Sequence, residues 1–232
     1  MSLQAVFIDV GNTLLYEEPS RFEIYAESAR EEGLEVSTAG MSELMHEAHE
    51  ALPRAIDGAY RYSDPWFRSY IRRIFHEKLG IAQGRLAELQ THLFARFSDP
   101  KTFRTFPGAV ELLERLRDQE LRLGVISNWS PRLPKLLDAL DLTRYFDFVL
   151  CSAIEELEKP EVAIFERAIE LAGVAPEAAL HAGDHRRKDV EAAERAGVFG
   201  VLVDHAGHME DADCPRVTSF AELATLIDSR IA

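Results

Sequence analysis

Five short apolar runs, separated by stretches with helical patterning, constrain this chain more than any other feature of its sequence. Ala5-Val6-Phe7-Ile8 is unbroken by polar residues, as expected of a strand buried on both faces of a parallel sheet, and it stops at Asp9. Runs of the same kind span 121–126, 146–150, 178–182 and 199–203, each preceded by a helix-like stretch. That alternation predicts an α/β fold with a doubly wound parallel sheet. Local punctuation agrees with it. Pro107-Gly108 opens a helix over 109–119, Ser130-Pro131 supplies an N-cap and a proline at the first helical position of the next, and Lys159-Pro160 opens a third.

The alternation breaks between about Glu17 and Pro100, where consecutive helices are expected and no strand. Ser20-Arg21-Phe22-Glu23 has the form of a capping box, and Asp64-Pro65 starts a helix with Phe67, Tyr70, Ile71, Ile74 and Phe75 on one stripe. The expected organisation is a catalytic core of residues 1–16 and 101–232 with a helical insertion, 17–100. An insertion directly after the first strand is expected over the carboxyl ends of the strands, where open α/β sheets bind ligands.

Composition narrows the possible partners. The 40 acidic against 26 basic residues give a formal charge of −14, which disfavours nucleic acid or an anionic membrane as partner while leaving room for a local anion site. Two cysteines, Cys151 and Cys214, make neither a disulfide framework nor a metal-ligand pattern, and with no signal-peptide pattern at the amino terminus they point to the reducing cytosol. No run approaches the roughly 20 apolar residues of a membrane span.

Chemistry-bearing residues gather where the strands end. They are Asp9-Val10-Gly11-Asn12-Thr13 after the first run, Ser127-Asn128 after the second, Lys159-Pro160 following the third, and Gly183-Asp184 with Asp189 after the fourth. A strand-terminal aspartate alone is often a turn residue; the four signals in this order suit phosphoryl transfer, which needs an in-line nucleophile, cations against the equatorial oxygens and orienting donors. Asp9 can attack as a carboxylate. Asp9 and Asp184 would repel at close range unless a cation lay between them, and hard oxygen ligands suit Mg²⁺. Lys159 adds a point charge, and the Ser127 hydroxyl adds a donor.

At these residues the chain resembles the haloacid dehalogenase superfamily over nearly its whole length. Asp9 to Thr13 looks like the first motif, Ser127 the second, Lys159 the third, and Gly183-Asp184 through Asp189 the fourth. The resemblance implies a Rossmann-like core with a helical cap and Mg²⁺ held by Asp9, Asp184 and the Gly11 backbone carbonyl. It implies catalysis by Asp9 and Lys159, with Thr13, Ser127, Asn128 and Lys159 around the phosphoryl group and Asp189 supporting the site. The substrate would be a small phosphorylated metabolite.

One position departs from the pattern. Phosphatases of that family usually carry a second aspartate two residues after the nucleophile as general acid and base, and here Gly11 stands in its place. Asn12 exchanges no proton at useful pH, and Glu17, Glu18, His46 and His49 have no spacing that marks them as replacements. Acid–base help is worth about 10²–10⁴-fold in rate, so activated acyl or aryl phosphates are expected to react faster than alkyl phosphates. Two alternatives stay open. One is a metal-free carbon–halogen hydrolase, resembled through Ser127-Asn128 and Ser130-Pro131; the other is a non-catalytic binding protein of the same fold. A phosphonate-cleaving reading would need a lysine in the insertion, where only Lys78 occurs. Arg186-Arg187-Lys188 reads as a solvated face, and His181, His185, His205 and His208 as structural or surface residues.

Overall fold

The computed structural model describes residues 2–231. The chain divides into two compact units, Met1–Tyr16 with Thr105–Ala232, and Glu17–Arg104.

The first unit is built on a six-stranded sheet: β1 (Ala5–Ile8), β2 (Arg122–Ser127), β3 (Phe148–Cys151), β4 (Ala179–Gly183), β5 (Phe199–Val203) and β6 (Arg216–Val217). Its order is β6-β5-β4-β1-β2-β3, with every neighbouring pair parallel. This is an α/β, Rossmann-like core. The four residues of β1 are fully buried, which is why an unbroken apolar run is needed there. Phe7, Ile126 and Leu150 pack against Ile164, Phe165 and Ala168 of the helix Val162–Ala172. β6, only two residues long and begun by an arginine, was not expected from the sequence.

Several helix starts differ from the sequence reading. Gly108, at φ +81°, does cap the helix Ala109–Asp118. The next helix, Leu133–Ala139, begins after Pro131 and carries Pro134 in its first turn; Ser130 instead holds the preceding bend, its carbonyl accepting from Leu133 N. Glu161, not Lys159, is the N-cap of Val162–Ala172.

The second unit holds the helices Arg21–Glu31, Thr38–Ala51, Asp64–Arg72 and Leu86–Arg96, with a π-helical turn, Arg73–Lys78, continuing the third. Ile24, Met41, Trp66, Ile71, Ile74, Phe75 and Leu93 form its core. Only half of the capping box forms: Ser20 Oγ accepts from Glu23 N at 3.3 Å, but the Glu23 carboxylate turns to Arg30 and Thr38. A hairpin that the sequence reading lacked, Ala55–Ile56 with Ala59–Tyr60, closes through Asp57-Gly58. Both turn residues have positive φ, +50° and +79°, as a type I′ turn requires.

The close approach of β5 to the turn Arg186–Val190 depends on Gly200. A Cβ at Gly200 would lie 2.8 Å from both Cα and O of Val190, backbone atoms that cannot step aside alone. Gly200→Ala is expected to destabilise the protein by about 1–3 kcal/mol, read as a lower urea midpoint at unchanged m-value.

Candidate active site

All the strands of the sheet run the same way, so the carboxyl ends of β4, β1 and β2 lie side by side. Ile8 is in register with Ala182 on one side and Val125 on the other. Asp9 therefore emerges between Gly183-Asp184 and Ser127. Sequence order reverses here, since β2 and β3 extend one way from β1 and β4 to β6 the other. Crevices at such switch points are where open α/β sheets bind ligands.

Asp9 keeps its amide in the sheet, donating to Ala182 O at 2.9 Å. The chain then turns at once: the amides of Thr13, Leu14 and Leu15 all point to Val10 O, and Asn12 takes φ +57°. That turn aims Thr13 Oγ1 back at Asp9 Oδ2, 3.4 Å away, and lets Asn12 Nδ2 donate to Asp184 Oδ2 at 3.3 Å.

Lys159 enters from the segment after β3 and is 3% exposed. Its Nζ lies 2.7 Å from Asp9 Oδ1 and 2.5 Å from Asp189 Oδ1. Asn128 holds the lysine in place through the backbone: its Nδ2 donates to Lys159 O at 2.8 Å and its Oδ1 accepts from Lys159 N at 2.9 Å. Ser127 ends β2 fully buried.

Asp189 reaches the site over Gly183. A Cβ on Gly183 would sit 2.3 Å from Asp189 Cγ, so the glycine before Asp184 is a space requirement of the carboxylate above it. Asp189 accepts three hydrogen bonds among the described residues. Oδ1 accepts from Lys159 and from His181 Nε2 at 2.9 Å, and Oδ2 accepts from His185 N at 3.0 Å. His181 is the residue the sequence reading missed. Its signal is slight: it alternates with Gly183 along β4, so both face the side on which Asp189 stands. The basic run Arg186-Arg187-Lys188 lies at the surface or close to it, with Arg186 paired to Asp213 and Glu191, and His205 donates to Thr13 O at 3.0 Å. Within the helical unit, Glu17 pairs with Arg21, Glu18 with Arg104, and His49 meets Tyr62.

The charges are unbalanced. Asp9, Asp184 and Asp189 each offer a carboxylate oxygen within 4.8 Å of the others, against one ammonium. Burial disfavours the Lys159 ammonium, but Asp189 and Asp9 outweigh it and hold its pKa above the ordinary lysine value. Burial likewise opposes ionisation of Asp189, yet Lys159 and the His181 hydrogen bond overcome it and keep its pKa below the usual carboxylate range. Asp184 goes the other way: burial, then repulsion from Asp9 and Asp189, pushes its pKa up to about 7. Desolvation also lowers the pKa of His181, leaving a neutral imidazole.

The haloacid dehalogenase-like hydrolase model matches residues 3–197. The chain belongs to that family. A relative in cattle, haloacid dehalogenase-like hydrolase domain-containing protein 3, is 32% identical over 88% of this chain and 82% of its own. Phosphoserine phosphatase of Thermus thermophilus is 30% identical over 90% of this chain and 92% of its own. Among solved structures, a HAD phosphatase from Thermococcus onnurineus superposes with a TM-score of 0.67 at 25% identity, covering 99% of this chain and 100% of the other. This haloacid dehalogenase-like hydrolase thus has phosphatases among its relatives.

An aspartate whose folded pKa is raised binds a proton that the unfolded chain has already lost, so its ionisation destabilises the fold as pH rises between the unfolded value and about 7. Asp184→Asn, which mimics the protonated form throughout, is expected to gain in Tm over the wild type as pH increases from about 5 to about 7.5 in chelator. Parallel Tm-versus-pH curves for the two proteins would contradict this electrostatic assignment.

Proposed function

We propose that this protein is a Mg²⁺-dependent phosphatase of small phosphorylated metabolites, with Asp9 as nucleophile. The observation that carries the reading is the convergence of three carboxylates after β1 and β4, two of them paired with one ammonium, with burial and then repulsion from Asp9 and Asp189 raising the pKa of Asp184. Asp189 already accepts three hydrogen bonds, so Asp9 and Asp184, which accept fewer, are with the Gly11 carbonyl the groups that would hold a divalent cation; an all-oxygen set of this kind fits Mg²⁺. When bound, the ion supplies charge against the phosphoryl oxygens.

The chain's own residues do the rest. Lys159 fixes Asp9 Oδ1 and leaves Oδ2 to attack phosphorus, the P–O bond to the leaving group breaks, and an aspartyl phosphate forms on Asp9. Thr13, Ser127 and Lys159 supply donors to the phosphoryl oxygens, and Asn128 keeps Lys159 in reach. Water then attacks phosphorus, releasing phosphate and restoring the Asp9 carboxylate. The side chain at position 11 contributes no proton to the departing oxygen, so the leaving group must be stable as an anion. Activated acyl and aryl phosphates meet that condition.

The test is a panel of phosphate esters and anhydrides with Mg²⁺ or chelator, run beside Asp9→Asn. Acetyl phosphate is expected to turn over at least about 10²-fold faster than glycerol phosphate, with activity abolished by chelator and by Asp9→Asn. Equal rates on the two substrates would remove the role given to Gly11. Metal-independent release of halide from a 2-haloacid would favour the dehalogenase reading, and silence on every substrate the non-catalytic one.

A further inference from the structure

His181 takes no part in the reaction just described, yet it touches the residue on which Lys159 depends. It is wholly buried in β4. Its Nε2 lies 2.9 Å from Asp189 Oδ1, the oxygen that also receives Lys159. An ionised carboxylate only accepts, so Nε2 carries the proton and donates. Nδ1 is buried with no hydrogen-bond partner among the described residues, and the ring meets Phe165 edge-on at 5.1 Å and 82°. A neutral imidazole with one orphaned nitrogen is an expensive way to fill a core position. An apolar side chain would fill the same space at lower cost, unless the Nε2–H bond itself matters.

We propose that His181 is a positioning residue that fixes Lys159 through Asp189. The Asp189 carboxylate is pinned at both ends, Oδ1 by His181 Nε2 and Oδ2 by the His185 amide, which removes rotation about its terminal bond. Lys159 ends a flexible four-carbon stem, and Asp189 and Asp9 are the two anions that place its ammonium. With Asp189 clamped, the ammonium has one position relative to Asp9 and to a phosphoryl group there. Without the clamp, Asp189 and Lys159 swing together. The inference deepens the phosphatase reading and rests on it for its kinetic arm.

Two variants separate positioning from packing. His181→Gln keeps an N–H donor at the same reach, whereas His181→Phe keeps the ring and loses the donor. With acetyl phosphate and Mg²⁺, His181→Phe is expected to lose about ten- to a hundredfold in kcat, the range seen when a partner behind a reacting group is removed, with KM little changed. His181→Gln is expected to recover most of that loss. A second readout needs no catalysis. Limited acetylation with acetic anhydride, followed by peptide mass spectrometry, is expected to leave Lys159 protected in the wild type and His181→Gln. In His181→Phe, Lys159 becomes reactive while the exposed Lys101 and Lys135 keep their rates as internal references. Should His181→Phe fail to fold, His181→Asn, whose amide stops short of Asp189, replaces it in both arms. Unchanged kcat with Lys159 still protected in the donor-less variant overturns the proposal, as does equal loss in the Gln variant. If the wild type hydrolyses nothing, the phosphatase reading fails and the acetylation result alone decides the positioning role.

Discussion

The buried ammonium of Lys159 is the constraint around which the sheet unit is arranged. A charge taken out of water is costly, and a buried pair is tolerated only when geometry and further hydrogen bonds are good. Here the partners are distant in sequence, Asp9 lying 150 residues and Asp189 30 residues from Lys159, so the charge is fully compensated only once β1 and β4 lie together in register. Removing either carboxylate leaves the buried ammonium with a single direct anionic partner, a loss larger than that of a surface ion pair. Folding and site assembly are therefore one event in this unit.

Two glycines make the arrangement sterically possible. Gly183 clears the volume that the Asp189 carboxylate fills, and Gly200 lets β5 come up against the backbone of Val190 beside it. Asp189 is consumed in holding Lys159. Asp184, tied only loosely to Asn12, is the carboxylate left in excess of the available positive charge. Three carboxylates against one ammonium, at the switch point of a parallel sheet, are the basis of the proposal that the site holds a cation and a phosphoryl group.

Most of the sheet was legible in the sequence because strands buried on both faces of a parallel sheet are dominated by apolar residues: the run before Asp9 has no polar interruption, and Arg122 and His181 are the single breaks in the runs that lead to Ser127 and Asp184. β6 was not, since two residues led by Arg216 carry no periodicity. The Ala55–Tyr60 hairpin had its signal in Asp57-Gly58, overlooked because the flanking strands are only two residues each. Ser130-Pro131 has the composition of a helix start but forms the bend before one. In the site, the motif residues could be named because each ends or follows a strand. What could not be read is the use made of them. Asn128 spends its amide on the Lys159 backbone, and His181 reaches Asp189 through a crossover from strand to turn that no local pattern encodes.

The central claim, that Asp9 is the nucleophile of a phosphoryl transfer, is tested most directly by trapping the covalent state. Protein mixed with Mg²⁺ and acetyl phosphate, quenched in acid, reduced with borohydride and digested, should contain homoserine at position 9, the reduction product of an aspartyl phosphate. A phosphoryl group recovered on any other residue, or turnover with Asp9 unmodified under conditions that trap acyl phosphates, would contradict it.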